Sequence, residues 1–542
     1  MNQETKTVRD ILNNLVAVQS DTNTAMEIAT AEAIAKYFED DPYFRVHPNQ
    51  WGIDARGDYL KRPVVWALKK GKTAKTVILT GHYDAVEIDC YGDLKAFALK
   101  PDELKAEILR RDMGDEKIKN HLQDDRWVFG RGTADMKGGL TVGIHKILNY
   151  PENAETGILF AAVADEENVS SGTRNAVGIL LDVKQKFQLD YKAILILEPQ
   201  LPLDGDEFLV YNGSIGKILP MIVAKGKLSH CGEPLKGLNA AHLIGQIVGR
   251  LDLNTDLVTG DFGLASPVPI VQFMRDMKNT YDVSVPEYAA AGLNLLFLGS
   301  EKTGELLERI EKICEDAVGA VMKKYWNAAK SARVAGMIAE EDLLHCSPKV
   351  MKLSQLEALA AEKDSDFLSF KSVLEEEMKR KIDSRAITLQ TASMEYMKAV
   401  IEASGEKDPL IVIGVAPPYY PAVCNEYLDV DAQRYLKVLE QTLAEKYQLK
   451  MKAMPYFTGV GDCSYMSCRN VQAERQVMSN MTLPAAVYDI PFESSAQLGA
   501  PCFYLGPRGE QIHQWSERVY MPDLEEVVPS LIASLIKAMD EE

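Results

Sequence analysis

An α/β fold is predicted: a mostly parallel-sheet domain covered by helices and interrupted by a smaller α+β domain. Through residues 5–212, short apolar runs bounded by turn formers alternate with helical patterns, as strands joined by crossover helices do. After Asn212 the alternation gives way to a different order of strands and helices. At 542 residues the chain also exceeds one ordinary hydrophobic core.

In chain order, residues 5–19 and 24–39 place apolar side chains at helical spacing, as in Val8, Ile11, Leu12, Leu15 and Val16. The strands follow at Val64–Leu68, Thr76–Thr80, Gly157–Ala164 and Ala193–Leu197, with helical patterns between them at about 137–149 and 172–186. Lys217–Ala224 reads as a strand and 240–251 as a helix. Val268–Met274 and Leu293–Leu298 are further strands, and Lys302–Tyr325 is a long helix. The helix and the strand near 217–224 are apolar on one face, and an edge strand of that kind offers unpaired backbone groups to a partner. Residues 352–384 are helical and highly charged. The main sheet is expected to resume at Pro409–Gly414, Lys450–Pro455 and Pro501–Leu505 and to close with an amphipathic helix over 523–539. The predicted division is therefore 1–212 and 385–542 for the main domain, 213–351 for the smaller one and 352–384 for a helical insertion. Residues 95–122, rich in Lys, Asp and Glu at helical spacing, form a second insertion.

The apolar fraction of 46% and charged fraction of 26% are those of a soluble globular protein. No run of apolar residues is long enough for a membrane span. The segment Met1–Asp10 alternates charged and polar residues without an apolar signal core, so a cytoplasmic location is expected. A net charge of −19 disfavours nucleic acid and anionic membrane as partners. The eight cysteines are scattered without a CxxC pair, and Cys463 and Cys468 read as reduced thiols.

The chemistry lies in five segments. His82 stands in Thr80-Gly81-His82-Tyr83-Asp84, and Asp135 in the glycine-rich stretch 130–139. Glu167 ends Asp165-Glu166-Glu167, Glu198 follows the apolar run Ala193–Leu197, and His513 follows Gln511-Ile512. Ligands in parallel sheets gather at strand carboxyl ends, and His82, Glu166, Glu167 and Glu198 all closely follow a predicted strand. Two histidines and three carboxylates suit a pair of divalent ions sharing one carboxylate, Zn2+ first and Co2+ or Mn2+ next. Glu166 is left to handle a proton, which describes a hydrolase. Asp84, two residues after His82, can reach the same imidazole and orient it.

Each segment alone has a blander reading. A His-x-Asp can be an ordinary polar strand end, and a glycine-rich stretch can cradle phosphate, although no Lys-Ser/Thr follows this one. An acidic pair is usually solvated and a lone histidine structural. Five ordered segments are harder to explain that way, since an unpartnered carboxylate such as Glu198 at the end of a buried run is costly.

The order and neighbours of these segments resemble the M20 family of metallopeptidases and amidohydrolases, over roughly the first 240 residues and the last 90. Length and the long middle section look most like its arginine-utilisation, RocB-type branch. The resemblance implies that Asp135 bridges the ions and that a cis peptide follows it. It implies that Glu166 is the general base, Glu167 a ligand, and the smaller domain a lid. His230, in Gly226-Lys227-Leu228-Ser229-His230, matches a histidine that in dimeric relatives reaches the partner's site and stabilises an oxyanion. A homodimer through the lid, or a lid closing over its own site, is thus expected. Relatives that cleave C-terminal residues carry an arginine in a lid strand, and Ala291–Leu298 here has none. Asn279 matches an asparagine of the preceding turn, while Arg275 and Arg385 find no counterpart. The expected substrate is a small N-acyl amino acid or short peptide. The alternatives are a strict aminopeptidase or dipeptidase, and a non-catalytic metal-binding regulator of amino-acid use.

Overall fold

Within the strand Gly157–Val163 every side chain is buried, and alternate residues face opposite helical layers. Ile158, Phe160 and Ala162 pack in one apolar cluster with Leu140 and Ile144 of the helix Lys137–Leu148 and with the C-terminal helix Val528–Asp540. Val163 packs on the other side with Ala176 and Ile179 of the helix Ser171–Phe187. A sheet covered on both faces follows, which is why its strands read as continuous apolar runs.

The computed structural model describes residues 6–201, 207–278, 280, 282–299, 302–428 and 432–541; Asn279 lies outside them. The chain divides into two compact units. The first comprises Met1–Ser214, Val423–Arg469 and Pro491–Glu542. Its eight-stranded sheet has the order 51–54, 64–69, 157–163, 75–82, 190–196, 502–504, 207–211, 450–454. The central run from 157–163 to 502–504 is parallel throughout. Antiparallel pairings lie towards either side of that run. Gly139 lets the helix Lys137–Leu148 approach the sheet, since a Cβ there would come within 1.9 Å of the Leu197 carbonyl oxygen.

The second unit comprises Ile215–Ala422 and Asn470–Ile490. Its five-stranded sheet has the order 270–276, 288–297, 216–225, 410–420, 349–352. Three expectations fail here. The run 409–414 does not resume the main sheet, because Leu410–Tyr420 pairs antiparallel with Gly216–Lys225 and parallel with Lys349–Lys352. The boundary expected at 385 therefore moves to 423, with 470–490 returning to the smaller unit. A parallel pair needs a long crossover, and residues 353–403 supply it as three helices. What reads as a charged insertion at 352–384 is part of this connection. Leu356, Phe367, Leu374 and Met397 from its helices pack against Val223, Ala290 and Val412 of the sheet. The strand near 217–224 is also no edge; it lies between two neighbours, and 270–276 and 349–352 form the edges. An apolar run carries no label for the strand it pairs with.

The 95–122 region forms the helices Pro101–Arg110 and Glu116–Leu122, as its spacing predicts. Among the described residues no helix is long and apolar enough to cross a membrane.

Candidate metal centre

His82 is the last residue of the strand Lys75–His82, aligned with Val163 of the neighbouring parallel strand. That register sets the carboxyl ends of three strands side by side and brings their following residues together. After Val163, Asp165 adopts a left-handed backbone (φ 65°) and the chain turns through Glu166 and Glu167. Both of their backbone amides donate to Asp84, to Oδ1 at 3.1 Å and Oδ2 at 3.2 Å. The same buried carboxylate lies 3.5 Å from His82 Nδ1, so Asp84 ties the histidine strand to the Glu166–Glu167 turn. Asp135 arrives from the turn around Gly132, whose φ of 76° favours glycine, and the Asp135–Met136 peptide is cis.

Asp135 stands between the two imidazoles. Its Oδ1 lies 3.0 Å from His82 Nε2 and its Oδ2 3.1 Å from His513 Nε2. His513 Nε2 is also 2.8 Å from Glu167 Oε1, while His82 Nε2 is 3.6 Å from Glu198 Oε1 and 4.0 Å from Glu166 Oε2. One ligand atom from each of His82, Glu166 and Glu198, and likewise from His82, Asp135 and Glu167, falls within 4.8 Å of the others. The structure thus gathers His82, Asp84, Asp135, Glu166, Glu167, Glu198 and His513 in one place. His230 belongs to the second unit, where its ring is exposed and Nδ1 accepts from Gly232 N at 3.0 Å.

Negative charge dominates this cluster. Burial pushes the Glu198 carboxyl up to about 7 against the pull of His82. Burial likewise raises Glu166, opposed by His82 and reinforced by Asp462, Glu198 and Glu167. Hydrogen bonding to Asp135 and Glu167 lifts His513 to about 10. Burial opposes charge on His82, yet Glu198, Asp135 and Asp84 hold its pKa well above the ordinary value. Glu198 Oε2 is buried without a hydrogen-bond partner. Crowded carboxylates, two imidazoles and an orphaned acceptor fit a divalent-ion site, since bound cations stabilise the ionised forms that burial opposes.

Three features of the site escape sequence reading. Asp462, buried in a loop after the strand Lys450–Met454, adds charge beside Glu166; its only signal is the flanking Gly459-Val460-Gly461. Glu517, also buried, accepts from the backbone amides of Ala134 and Asp135 at 3.3 Å each and pairs with Arg131. Beneath the Glu166–Glu167 turn, buried Arg62 joins Glu27, Asp58 and Asp165.

The sequence profile described as peptidase family M20/M25/M40 matches residues 78–537. The uncharacterized protein YqjN of Bacillus subtilis is 31% identical, covering 99% of this chain and 97% of its own. Protein RocB of the same organism is 27% identical, over 97% of this chain and 93% of its own. Among solved structures, the aminopeptidase PepT from Bacillus cereus aligns over 99% of this chain and 98% of its own, with a TM-score of 0.52 and 14% identity; that likeness is one of fold. The chain belongs to the M20/M25/M40 peptidase family, as a metallopeptidase-type hydrolase on the RocB-type branch.

Proposed function

We propose that the protein hydrolyses an amide bond in a small N-acyl amino acid or short peptide, using two divalent ions, Zn2+ first. The observation that carries this reading is the Asp135 carboxylate, with one oxygen towards each imidazole at 3.0 and 3.1 Å. His82, Asp135 and Glu198 would hold one ion, and Asp135, Glu167 and His513 the other. Bound there, the ions supply Lewis acidity and a lowered pKa for water. Asp84 orients the His82 ring and, through the amides of Glu166 and Glu167, fixes where those two carboxylates stand. Glu166 takes the proton of the attacking water at its carboxylate and returns it to the leaving nitrogen. The strand Tyr288–Phe297 offers no arginine for a substrate carboxylate, which counts against a carboxypeptidase preference. Eight free thiols suit a cytoplasmic setting.

The test is a panel of acetylated amino acids, arginine-related compounds among them, set against free dipeptides. The metal-loaded protein is expected to turn over at least one acylated amino acid, to lose that activity to a chelator and to regain it with Zn2+ or Co2+. Faster hydrolysis of dipeptides would favour a strict dipeptidase. Stoichiometric metal with no turnover anywhere on the panel would leave the regulator reading.

We also propose that the smaller unit mediates a homodimer and that His230 stabilises developing charge at a partner's site. The edge strand Ile270–Asp276, with Ile270 and Met274 exposed, suits such pairing. His230→Ala should then lower kcat more than it raises KM. Unchanged kinetics would dispose of the histidine's role, and a monomeric mass by light scattering would dispose of the dimer.

A further inference from the structure

His513 is the least buried of the seven clustered side chains, with 45% of its side chain exposed, so core packing does not fix its ring. It sits in a loop in which both Gln511 and His513 take left-handed backbone, at φ 50° and 64°. Something outside the loop must hold such a conformation. The 88–122 segment meets that need. Its residues Tyr91, Leu104, Ile108 and Leu122 form an apolar cluster of their own with Trp127 and Phe129, and Trp515 and Tyr520 of the closing loop pack against it. The strand Trp127–Phe129 pairs with Arg518–Tyr520, which pairs in turn with Gly509–Glu510.

At the centre of this contact is Arg518, whose side chain is 1% exposed. Its guanidinium lies over the rings of Trp127 and Phe129. Nε donates to His121 Nδ1 at 2.8 Å, and Nη1 donates to Gln511 Oε1 and to the Ser516 carbonyl, both at 2.9 Å. Because arginine only donates, His121 must present an unprotonated Nδ1. Its ring stacks on Trp127 with centroids 4.1 Å apart, and burial together with Arg518 lowers its pKa to about 4. Lys117 pairs with Glu510 at 2.7 Å. Arg131 adds a hydrogen bond to the His513 carbonyl at 3.2 Å and one to Cys90 Sγ at 3.0 Å.

We propose that the 88–122 segment clamps the 509–520 loop, with Arg518 and His121 as positioning residues that hold the His513 ring for ion binding. The clamp stands on these contacts alone; its consequence for ions rests on the reading of His513 as a ligand given above.

Two variants test it. Arg518→Met keeps the buried stem and removes the fork, and His121→Phe keeps the stack on Trp127 and removes the acceptor. In metal-free protein, amide hydrogen exchange over 509–520 should quicken about tenfold or more in each, as losing a charged hydrogen bond implies. Exchange in the strand Gly157–Val163 should not change. In a Co2+ titration, one of two binding steps should weaken about ten- to a hundred-fold while the other holds. A general loss of stability would weaken both steps, which separates positioning from mere damage. If Arg518→Met fails to fold, His121→Phe carries the same expectation. Unchanged exchange in a folded variant overturns the clamp. Quickened exchange with both Co2+ steps intact, or both equally weakened, overturns its link to His513. A parent protein that binds no Co2+ overturns the metal reading, and the exchange comparison then decides the clamp on its own.

Discussion

Glu166→Gln is expected to lower kcat by about a hundred- to ten-thousand-fold, the usual share of a positioned general base, while bound metal stays at the parent level. The amide preserves the size and shape of the side chain but cannot accept the proton of the attacking water. Of the two adjacent glutamates, Glu167 lies 2.8 Å from His513, whereas the nearest imidazole nitrogen to Glu166 is His82 Nε2 at 4.0 Å. On the proposed reading, Glu167 is the ligand and Glu166 the one that faces a reactant. Its backbone amide is held by Asp84, so the substitution should not move the turn. Burial raises its pKa, with Asp462 and Glu198 adding to the shift, as suits a group that must hold a proton between two steps. Metal analysis beside steady-state kinetics checks both halves. Turnover within about twofold of the parent would remove Glu166 from the proton path, and lost metal would make it a ligand instead.

How much of this could be read from the sequence depends on distance along the chain. The strands ending near His82, Glu167 and Glu198 are legible because a sheet buried on both faces writes each strand as an apolar run, and a polar residue ending it stands out. The sheet to which a run belongs is not written there. Leu410–Tyr420 is as apolar as its counterparts in the larger sheet, and its parallel pairing with Lys349–Lys352 reflects the helical crossover over residues 353–403, while its other neighbour, Gly216–Lys225, lies farther back along the chain. The residues that support the site are hidden for the same reason. Arg518 meets His121 across 397 positions, and Glu517 meets Asp135 across 382. No local spacing announces either contact. Asp165 is a partial exception, since it stands beside two singled-out acids, but its partner Arg62 lies 103 residues away.

Arg62→Met is expected to cost about 3–5 kcal/mol of stability near neutral pH, the usual result of removing one side of a buried ion pair. Arg62 is fully buried with three carboxylates, at 2.8 Å from Glu27, 2.7 Å from Asp58 and 2.6 Å from Asp165. It also donates to Ser171 Oγ at 2.9 Å. Methionine fills much of the same space and leaves those acids without their cation. The cost should depend on pH with a definite sign. Burial and Asp84 already raise Glu27 to about 8, although Arg62 opposes the shift. Between its ordinary value near 4.5 and that pKa, the folded protein holds a proton the unfolded chain releases, so this group lowers stability as pH rises. Burial would raise Asp58 too, but Arg62 pulls it below its ordinary value, a gain present at neutral pH and lost in acid. Without Arg62 the Glu27 penalty reaches beyond pH 8, and at Asp58 the gain gives way to the burial penalty that Arg62 had overcome, a penalty that grows with pH above the ordinary carboxylate value. The gap between parent and variant in urea unfolding should therefore be larger at pH 8 than at pH 5. Asp165 also begins the turn that presents Glu166 and Glu167, with its amide bonded to Glu27 Oε2 at 2.9 Å, so turnover should fall in folded Arg62→Met as well. A gap under about 1 kcal/mol, the range of exposed ion pairs, or one that does not change between the two pH values, would show that the carboxylates share the load without the arginine.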